Sequence, residues 1–153
     1  MWGMDAVDQS LIEALRANAR ASYAELGRAV GMSGPSVAER ITRLEQAGVI
    51  TGYHAAVDPA ALGLSVAAIV GVHLSDTSDQ DAVATALARL EEIEDCWFVA
   101  GDESFLIKVR VAGMPELEAI LSRLRQIRGV SRTRTTVVLS TKWENRAAGG
   151  AQV

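Results

Sequence analysis

One short segment carries side chains suited to reading DNA bases. Ser36, Glu39 and Arg43 place a hydroxyl, a carboxylate and a guanidinium three and four residues apart, so a helix would present them on one side. Arginine can bind guanine through two hydrogen bonds, glutamate can accept from the amino group of cytosine, and serine can contact a phosphate or a base. The alternative interpretation is an ordinary amphipathic helix whose Glu39 and Arg43 pair on a solvated face.

Two short helices joined by a tight turn are predicted to position these side chains. The first helix spans Tyr23–Val30, and Gly31 suits the sharp turn that follows it. Ser33 is a suitable N-cap for the second helix, Pro35 is tolerated in its first turn, and Gly48 ends it. This chemistry favours a DNA-binding helix-turn-helix unit. The predicted DNA-binding residues are Tyr23, Ser33, Gly34, Pro35, Ser36, Glu39, Arg40 and Arg43.

The charge of the chain limits how tightly a single copy can bind DNA. The formal net charge is −4, and residues 1–60 carry five arginines against seven acidic residues. Strong DNA binders usually present a broad basic surface that neutralises phosphates. Because that surface is missing, useful affinity is predicted to require at least two linked copies, whose tethering raises the effective concentration of each domain. Another part of the chain is therefore expected to provide self-association.

The composition predicts a folded protein of the reducing cytoplasm. Hydrophobic residues make up 49% of the 153 positions, which disfavours a disordered chain. No apolar run approaches the ~20 residues of a membrane span, and no signal peptide is recognisable, so neither a membrane partner nor secretion is expected. Cys96 is the single cysteine and cannot form an internal disulfide. Neither a metal-ligand cluster nor a phosphate-binding glycine loop is recognisable, so no metal or cofactor is expected.

Hydrophobic periodicity divides the chain into two domains and a linker. A helix with Val7, Leu11 and Leu15 on its inner face precedes the two-helix unit, which gives a predicted domain over residues 1–50. Residues 51–63 are predicted to form a strand-like linker, which Asp58 and Pro59 interrupt. A second domain is predicted over residues 64–142 and a tail over 143–153.

The second domain alternates strands and helices in a recognisable order. Strands are predicted over Ser65–Leu74, Cys96–Ala100, Phe105–Val111 and Val130–Ser140, with helices over Asp76–Leu90 and from Pro115 onward. The fold class is therefore α+β: an N-terminal winged-helix-like helix-turn-helix domain and a C-terminal ferredoxin-like βαββαβ domain. The strands look apolar on both faces, whereas helices cover only one face of such a sheet. The other face is expected to pack on a second copy.

Stretches in both domains together resemble the Lrp/AsnC (feast/famine) family of bacterial transcription regulators. The resemblance covers nearly the whole chain and rests on Met4–Asp8, Leu26, Gly31–Ser33, Val37–Ile50, Gly52–Tyr53, Cys96–Gly101 and Gly129–Thr135. It implies a sequence-specific regulator of double-stranded DNA with a C-terminal ligand-sensing domain. It also implies dimers that assemble into tetramers or octamers, and a small amino-acid effector bound at a dimer–dimer contact.

The resemblance places the effector site at the hairpin turn that Ala100–Phe105 match. Backbone N–H groups of a turn can hold a carboxylate, and nearby acids can hold an ammonium. The chain departs from the family pattern at Ser104, where an aspartate is common, which leaves the ammonium to Asp102 or Glu103. The expected effector-binding residues are Gly101, Asp102, Glu103, Ser104, Thr135 and Thr136. A solvated acidic hairpin without a ligand is the alternative interpretation.

An enzymatic alternative follows from the same resemblance. Some relatives of the family decarboxylate a tetrapyrrole, sirohaem, in the cleft of the second domain, using histidine and arginine side chains. Here His54 and His73 are isolated in the sequence, although Arg132 and Arg134 alternate on one predicted strand. The well-formed recognition helix favours a regulator that is not an enzyme.

Overall fold

A computed structural model describes residues 3–145 and divides the chain into two compact units. Of the described residues, the first unit comprises 3–56 with 143–145, and the second comprises 57–142. Residues 146–153 of the predicted tail, and the first two residues of the predicted first domain, lie outside the described part. No helix within residues 3–145 is both long enough and apolar enough to span a membrane.

Three helices form the first unit: α1 (Ala6–Ala17), α2 (Tyr23–Val30) and α3 (Gly34–Gln46). Each begins at a side-chain cap. Asp5 and Ser22 each form a reciprocal capping box with the residue three positions later, and the Ser33 side chain accepts from the Ser36 N–H. The core is built from Leu11, Leu15, Leu26, Val37 and Ile41. Local capping and helical periodicity therefore account for these elements.

The segment that follows α3 differs from the expectation. Residues 51–58 contain no helix and no paired strand, so the predicted strand-like linker is not formed as a strand, nor is a wing formed by the described residues of the first unit. A strand needs a hydrogen-bonded neighbour, and the described first unit contains no other strand. Pro59–Leu62 instead form a short 3-10 helix, which Asp58 caps by accepting from the Ala60 N–H.

The second unit is an antiparallel four-stranded sheet with two helices. Its elements are β1 (Val66–Leu74), α4 (Gln80–Leu87), β2 (Ile93–Phe98), β3 (Phe105–Val111), α5 (Met114–Gln126) and β4 (Val130–Val137). The strand order is β2-β3-β1-β4, with antiparallel pairing throughout. Chain order and strand order together confirm the ferredoxin-like prediction.

Some boundaries in the second unit differ from the sequence prediction. Helix α4 begins at Gln80 and not at Asp76, because the Asp79 side chain caps it by accepting from the N–H groups of Asp81 and Ala82. Strand β2 ends at Phe98, since the Val99 N–H already bonds to the Ser104 carbonyl in the following turn. Strand β4 ends at Val137, three residues early.

The two faces of the sheet differ in chemistry. The face that packs on the helices is apolar, with Val70 and Val72 from β1 and Ile107 and Val109 from β3. The opposite face, called the open face here, is mixed. It carries Ile69, Gly71 and His73 from β1, Lys108 and Arg110 from β3, and Arg132 and Arg134 from β4. The prediction that the strands are apolar on both faces was therefore wrong for β3 and β4.

Candidate functional site

The turn between α2 and α3 depends on a close approach of two backbones. Gly27 is buried in α2, and a Cβ atom there would overlap the Met32 carbonyl oxygen. Gly31 ends α2 with φ = 71°, a left-handed conformation that glycine adopts without a steric penalty. These two glycines fix the angle at which α3 leaves α2. The sequence prediction identified Gly31 but not Gly27.

Helix α3 turns polar side chains away from its buried stripe. Glu39 and Arg43 are exposed, and Ser36 is half-buried. The Ser33 and Ser36 hydroxyls lie 2.8 Å apart at the start of the helix, where Tyr23 of α2 is also exposed. The structure thus places Tyr23, Ser33, Gly34, Pro35, Ser36, Glu39 and Arg43 on or beside the start and outer side of α3. Their contact with DNA remains a prediction.

Arg40, which was predicted to contact DNA, makes contacts within the first unit. Its Nη1 donates to Asp5 Oδ2 and to Asp8 Oδ1, each at 2.8 Å, and so joins α3 to the start of α1. Asp8 is 1% exposed, and its other oxygen accepts from the Asp5 N–H. The backbone N–H of Asp8, followed by Arg40, lowers the pKa of Asp5, and both acids raise the pKa of Arg40. Arg40 therefore positions α3 within the unit.

Tyr53 ties the segment after α3 back onto that helix. Its hydroxyl donates to Glu45 Oε1 at 2.8 Å. Burial, followed by this hydrogen bond, raises the pKa of Tyr53 to about 12. Sequence reasoning noted Tyr53 only as part of a motif, because nothing local in the sequence connects it with Glu45.

The turn between β2 and β3 has three backbone N–H groups without a partner among the described residues, and it ends at an N–H that bonds to β1. The Ser104 N–H bonds to the Val72 carbonyl at 2.9 Å, so it is not available to a ligand. The N–H groups of Gly101, Asp102 and Glu103 bond to no other residue within the described chain. Two of the expected site residues, Asp102 and Glu103, direct their carboxylates toward β1 and β4.

These two carboxylates meet basic side chains of the open face. Asp102 Oδ2 lies 3.3 Å from His73 Nε2 and 3.3 Å from Arg132 Nη2. Glu103 Oε1 lies 2.6 Å from Arg134 Nη2. The hydrogen bond with His73, then the charge of Arg132, lowers the pKa of Asp102. The turn is therefore attached to the open face by charged groups.

His73 takes part through one ring nitrogen only. The residue is 7% exposed, and its Nδ1 is buried without a hydrogen-bond partner among the described residues. Because a buried N–H without an acceptor is costly, this geometry favours the tautomer in which Nε2 carries the hydrogen and donates to Asp102. His73, Asp102 and Glu103 place possible metal-ligand atoms within 4.8 Å of one another. Ligation through Nε2 would move the hydrogen to the unpartnered Nδ1, and arginines already neutralise both acids, so we assign no metal.

The structure separates the two threonines of the expected effector site. Thr136 pairs with Ile69 and lies on the open face, whereas Thr135 pairs with Val70 and faces the helices. The residues of β4 nearest the turn are instead Arg132 and Arg134, opposite His73 and Gly71 in the register. The alternation of these arginines in the sequence was the available signal, but their partners lie about thirty positions away.

Comparisons with known proteins match both units. Residues 4–45 match the model of the AsnC-type helix-turn-helix domain, and residues 67–148 match the model of the Lrp/AsnC ligand binding domain. The chain is 39% identical to the HTH-type transcriptional regulator LrpA of Mycobacterium tuberculosis over 94% of this chain and 95% of that protein. It is 32% identical to the regulatory protein AsnC of Escherichia coli over 89% of this chain and 90% of that protein.

A solved structure extends the likeness to the backbone. The feast or famine regulatory protein from M. tuberculosis, complexed with L-methionine, superimposes with a TM-score of 0.89 at 38% identity. The match covers 95% of this chain and 99% of that chain.

Proposed function

The chain belongs to the Lrp/AsnC family of transcription regulators, and from this premise we propose that α3 reads specific DNA sequences. The observation that carries the proposal is the outer side of α3, where Glu39 and Arg43 are exposed while Arg40 is held against α1. An arginine and a glutamate one helical turn apart suit adjacent base edges in a major groove. Since the relatives are named as transcription regulators, the decarboxylase alternative is not retained.

We propose that the functional unit is a cytoplasmic homo-oligomer. The support is electrostatic: the net charge of −4 leaves one copy without a broad basic surface, and a dimer would hold two copies of α3 for related half-sites. The part of the open face around Ile69, which lies between Lys108 and Thr136 in the register, is the surface we propose for the dimer. Further assembly into tetramers or octamers remains part of the same proposal.

Replacing Arg43 by alanine tests the DNA interface. We expect operator affinity to fall 5- to 30-fold, about 1–2 kcal/mol, with weaker discrimination between bases at one position of each half-site. The operator is first selected from random double-stranded DNA, and affinity is then measured by fluorescence anisotropy at fixed salt. Arg125→Ala removes the same charge from α5 and serves as the control. Equal losses in the two variants would contradict base reading by Arg43.

We propose further that an amino acid binds at the turn formed by residues 101–104 and modulates assembly or DNA affinity. The N–H groups of Gly101 to Glu103 are available to a carboxylate. Asp102 contacts His73 and Arg132 through Oδ2, which leaves Oδ1 to accept from an ammonium. The M. tuberculosis relative in complex with L-methionine supports this choice of ligand class.

Calorimetry with each proteinogenic amino acid tests the effector proposal. We expect at least one of them to give a saturable heat, with L-methionine as the first compound examined. Asp102→Asn should weaken that binding about tenfold, because the ammonium loses a charged acceptor. The control is far-ultraviolet circular dichroism, which should be unchanged. A folded protein that binds none of these amino acids would contradict the proposal.

A further inference from the structure

Two ion pairs attach the turn to β4, and they differ in the burial of the acid. One joins Glu103 to Arg134, and the other joins Asp102 to Arg132. Both arginines lie on the open face two residues apart, so their guanidinium groups are neighbours. Each pair thus presents one negative and one positive group to the same region, which is the charge pattern of an α-amino acid.

The Glu103–Arg134 pair has one buried member. Its atoms are 2.6 Å apart, and the Glu103 side chain is 12% exposed while that of Arg134 is 70% exposed. Glu103 can lie flat on the sheet because residue 71 has no side chain. A Cβ atom on Gly71 would come within 2.5 Å of Glu103 Cγ. The packing of Glu103 against Gly71 therefore holds the turn in place.

In the Asp102–Arg132 pair, both side chains are exposed to solvent. Its atoms are 3.3 Å apart, longer than the 2.7–2.9 Å of a strong charge-assisted hydrogen bond. The side chains of Asp102 and Arg132 are 71% and 65% exposed, and an ion pair this exposed contributes about 0–1 kcal/mol. Separating the two groups is therefore cheap, while His73 still holds Asp102 from the sheet side.

We propose that Arg132 binds the carboxylate of the effector while Asp102 binds its ammonium, so that the ligand replaces the Asp102–Arg132 ion pair. The proposal rests on the proposed function, in which an amino acid binds this turn. It adds that recognition requires a free α-carboxylate and that Arg132, and not the backbone N–H groups alone, selects for it. Arg134 keeps its contact with Glu103 in both states.

A comparison of acid and amide ligands tests the role of Arg132. The ligand is the amino acid that binds most tightly in the calorimetric screen, and its carboxamide is the matched compound, beginning with L-methionine and L-methioninamide. In the unmodified protein we expect the amide to bind far more weakly than the acid. In Arg132→Gln, the ratio of the two dissociation constants should fall about tenfold, since the lost contact is specific to the charged carboxylate.

The control variant is Arg125→Gln, which removes one positive charge from α5 on the other side of the sheet. It should leave the ratio between acid and amide unchanged. If Arg132 has only a structural role, Arg132→Gln will weaken the binding of both ligands equally and leave the ratio of their dissociation constants unchanged. That result would overturn the assignment of Arg132 without contradicting the effector site. If the unmodified protein binds no amino acid, the effector proposal fails, and the assignment of Arg132 fails with it.

Discussion

Replacing Asp8 by alanine is expected to lower the free energy of unfolding of the first unit by about 2 kcal/mol. Asp8 is 1% exposed and accepts from both Arg40 Nη1 and the Asp5 N–H. Its removal leaves Arg40 with one exposed carboxylate partner, Asp5, where the unmodified protein provides two. The expected loss is that of a hydrogen bond to a charged group, because Arg40 keeps Asp5 and some contact with water. Hydrogen exchange of the α1 and α3 amides measures it.

A second substitution shows whether the Arg40 charge is the cause. In an Arg40→Met background, Asp8→Ala should cost much less, because Asp8 no longer has a charged partner to lose. Asp5→Ala, which removes an exposed N-cap, should cost less than Asp8→Ala does in the unmodified protein. Should Asp8→Ala prove no more damaging than Asp5→Ala, the central place given to the Asp8–Arg40 contact would be wrong.

Gly27→Ala is expected to destabilise the first unit by about 2–3 kcal/mol and to weaken operator binding. The added methyl group would overlap the Met32 carbonyl oxygen, which is backbone and cannot rotate away. The helices must then separate, so the gain of about 1 kcal/mol in helix propensity is outweighed. Denaturant unfolding gives the stability change, and anisotropy with the selected operator gives the change in affinity.

Gly34→Ala is the matched control for this substitution. Gly34 also lies in a helix of the first unit, but the nearest atom to an added Cβ is 3.8 Å away, an ordinary contact. We expect this variant to unfold with unchanged or slightly increased stability. Equal destabilisation by the two substitutions would show that the close approach of Gly27 and Met32 is unimportant.

The elements of the first unit could be predicted because their signals are local. Ser33, Pro35 and Gly48 mark the ends of α3 within its own sequence, and helical spacing identifies Val37 and Ile41 as buried. The order of strands and helices in the second unit was equally readable, since each strand carries its own pattern. Boundaries were less certain where a side-chain cap decides the start, as Asp79 does for α4.

The contacts that shape both candidate sites join distant parts of the chain. Arg40 and Asp8 are 32 positions apart, and Arg132 and Asp102 are 30 positions apart. Helical spacing places Arg40 between the buried and the exposed sides of α3, a position that suits a contact with DNA as well as a contact with α1. Strand alternation placed Arg132 and Arg134 on one face without indicating their partners. Only the tertiary structure distinguishes these possibilities.

The caps at the starts of the three N-terminal helices also bear on how the protein folds. Asp5, Ser22 and Ser33 each bond to a residue only three positions later, so the hydrogen bonds that begin each helix lie within its first turn. Structures built from such short-range contacts form quickly, because little chain must be closed into loops first. During synthesis, the three helices of the first unit can therefore reach their native arrangement while the sheet, which must pair strands far apart in the chain, is still incomplete.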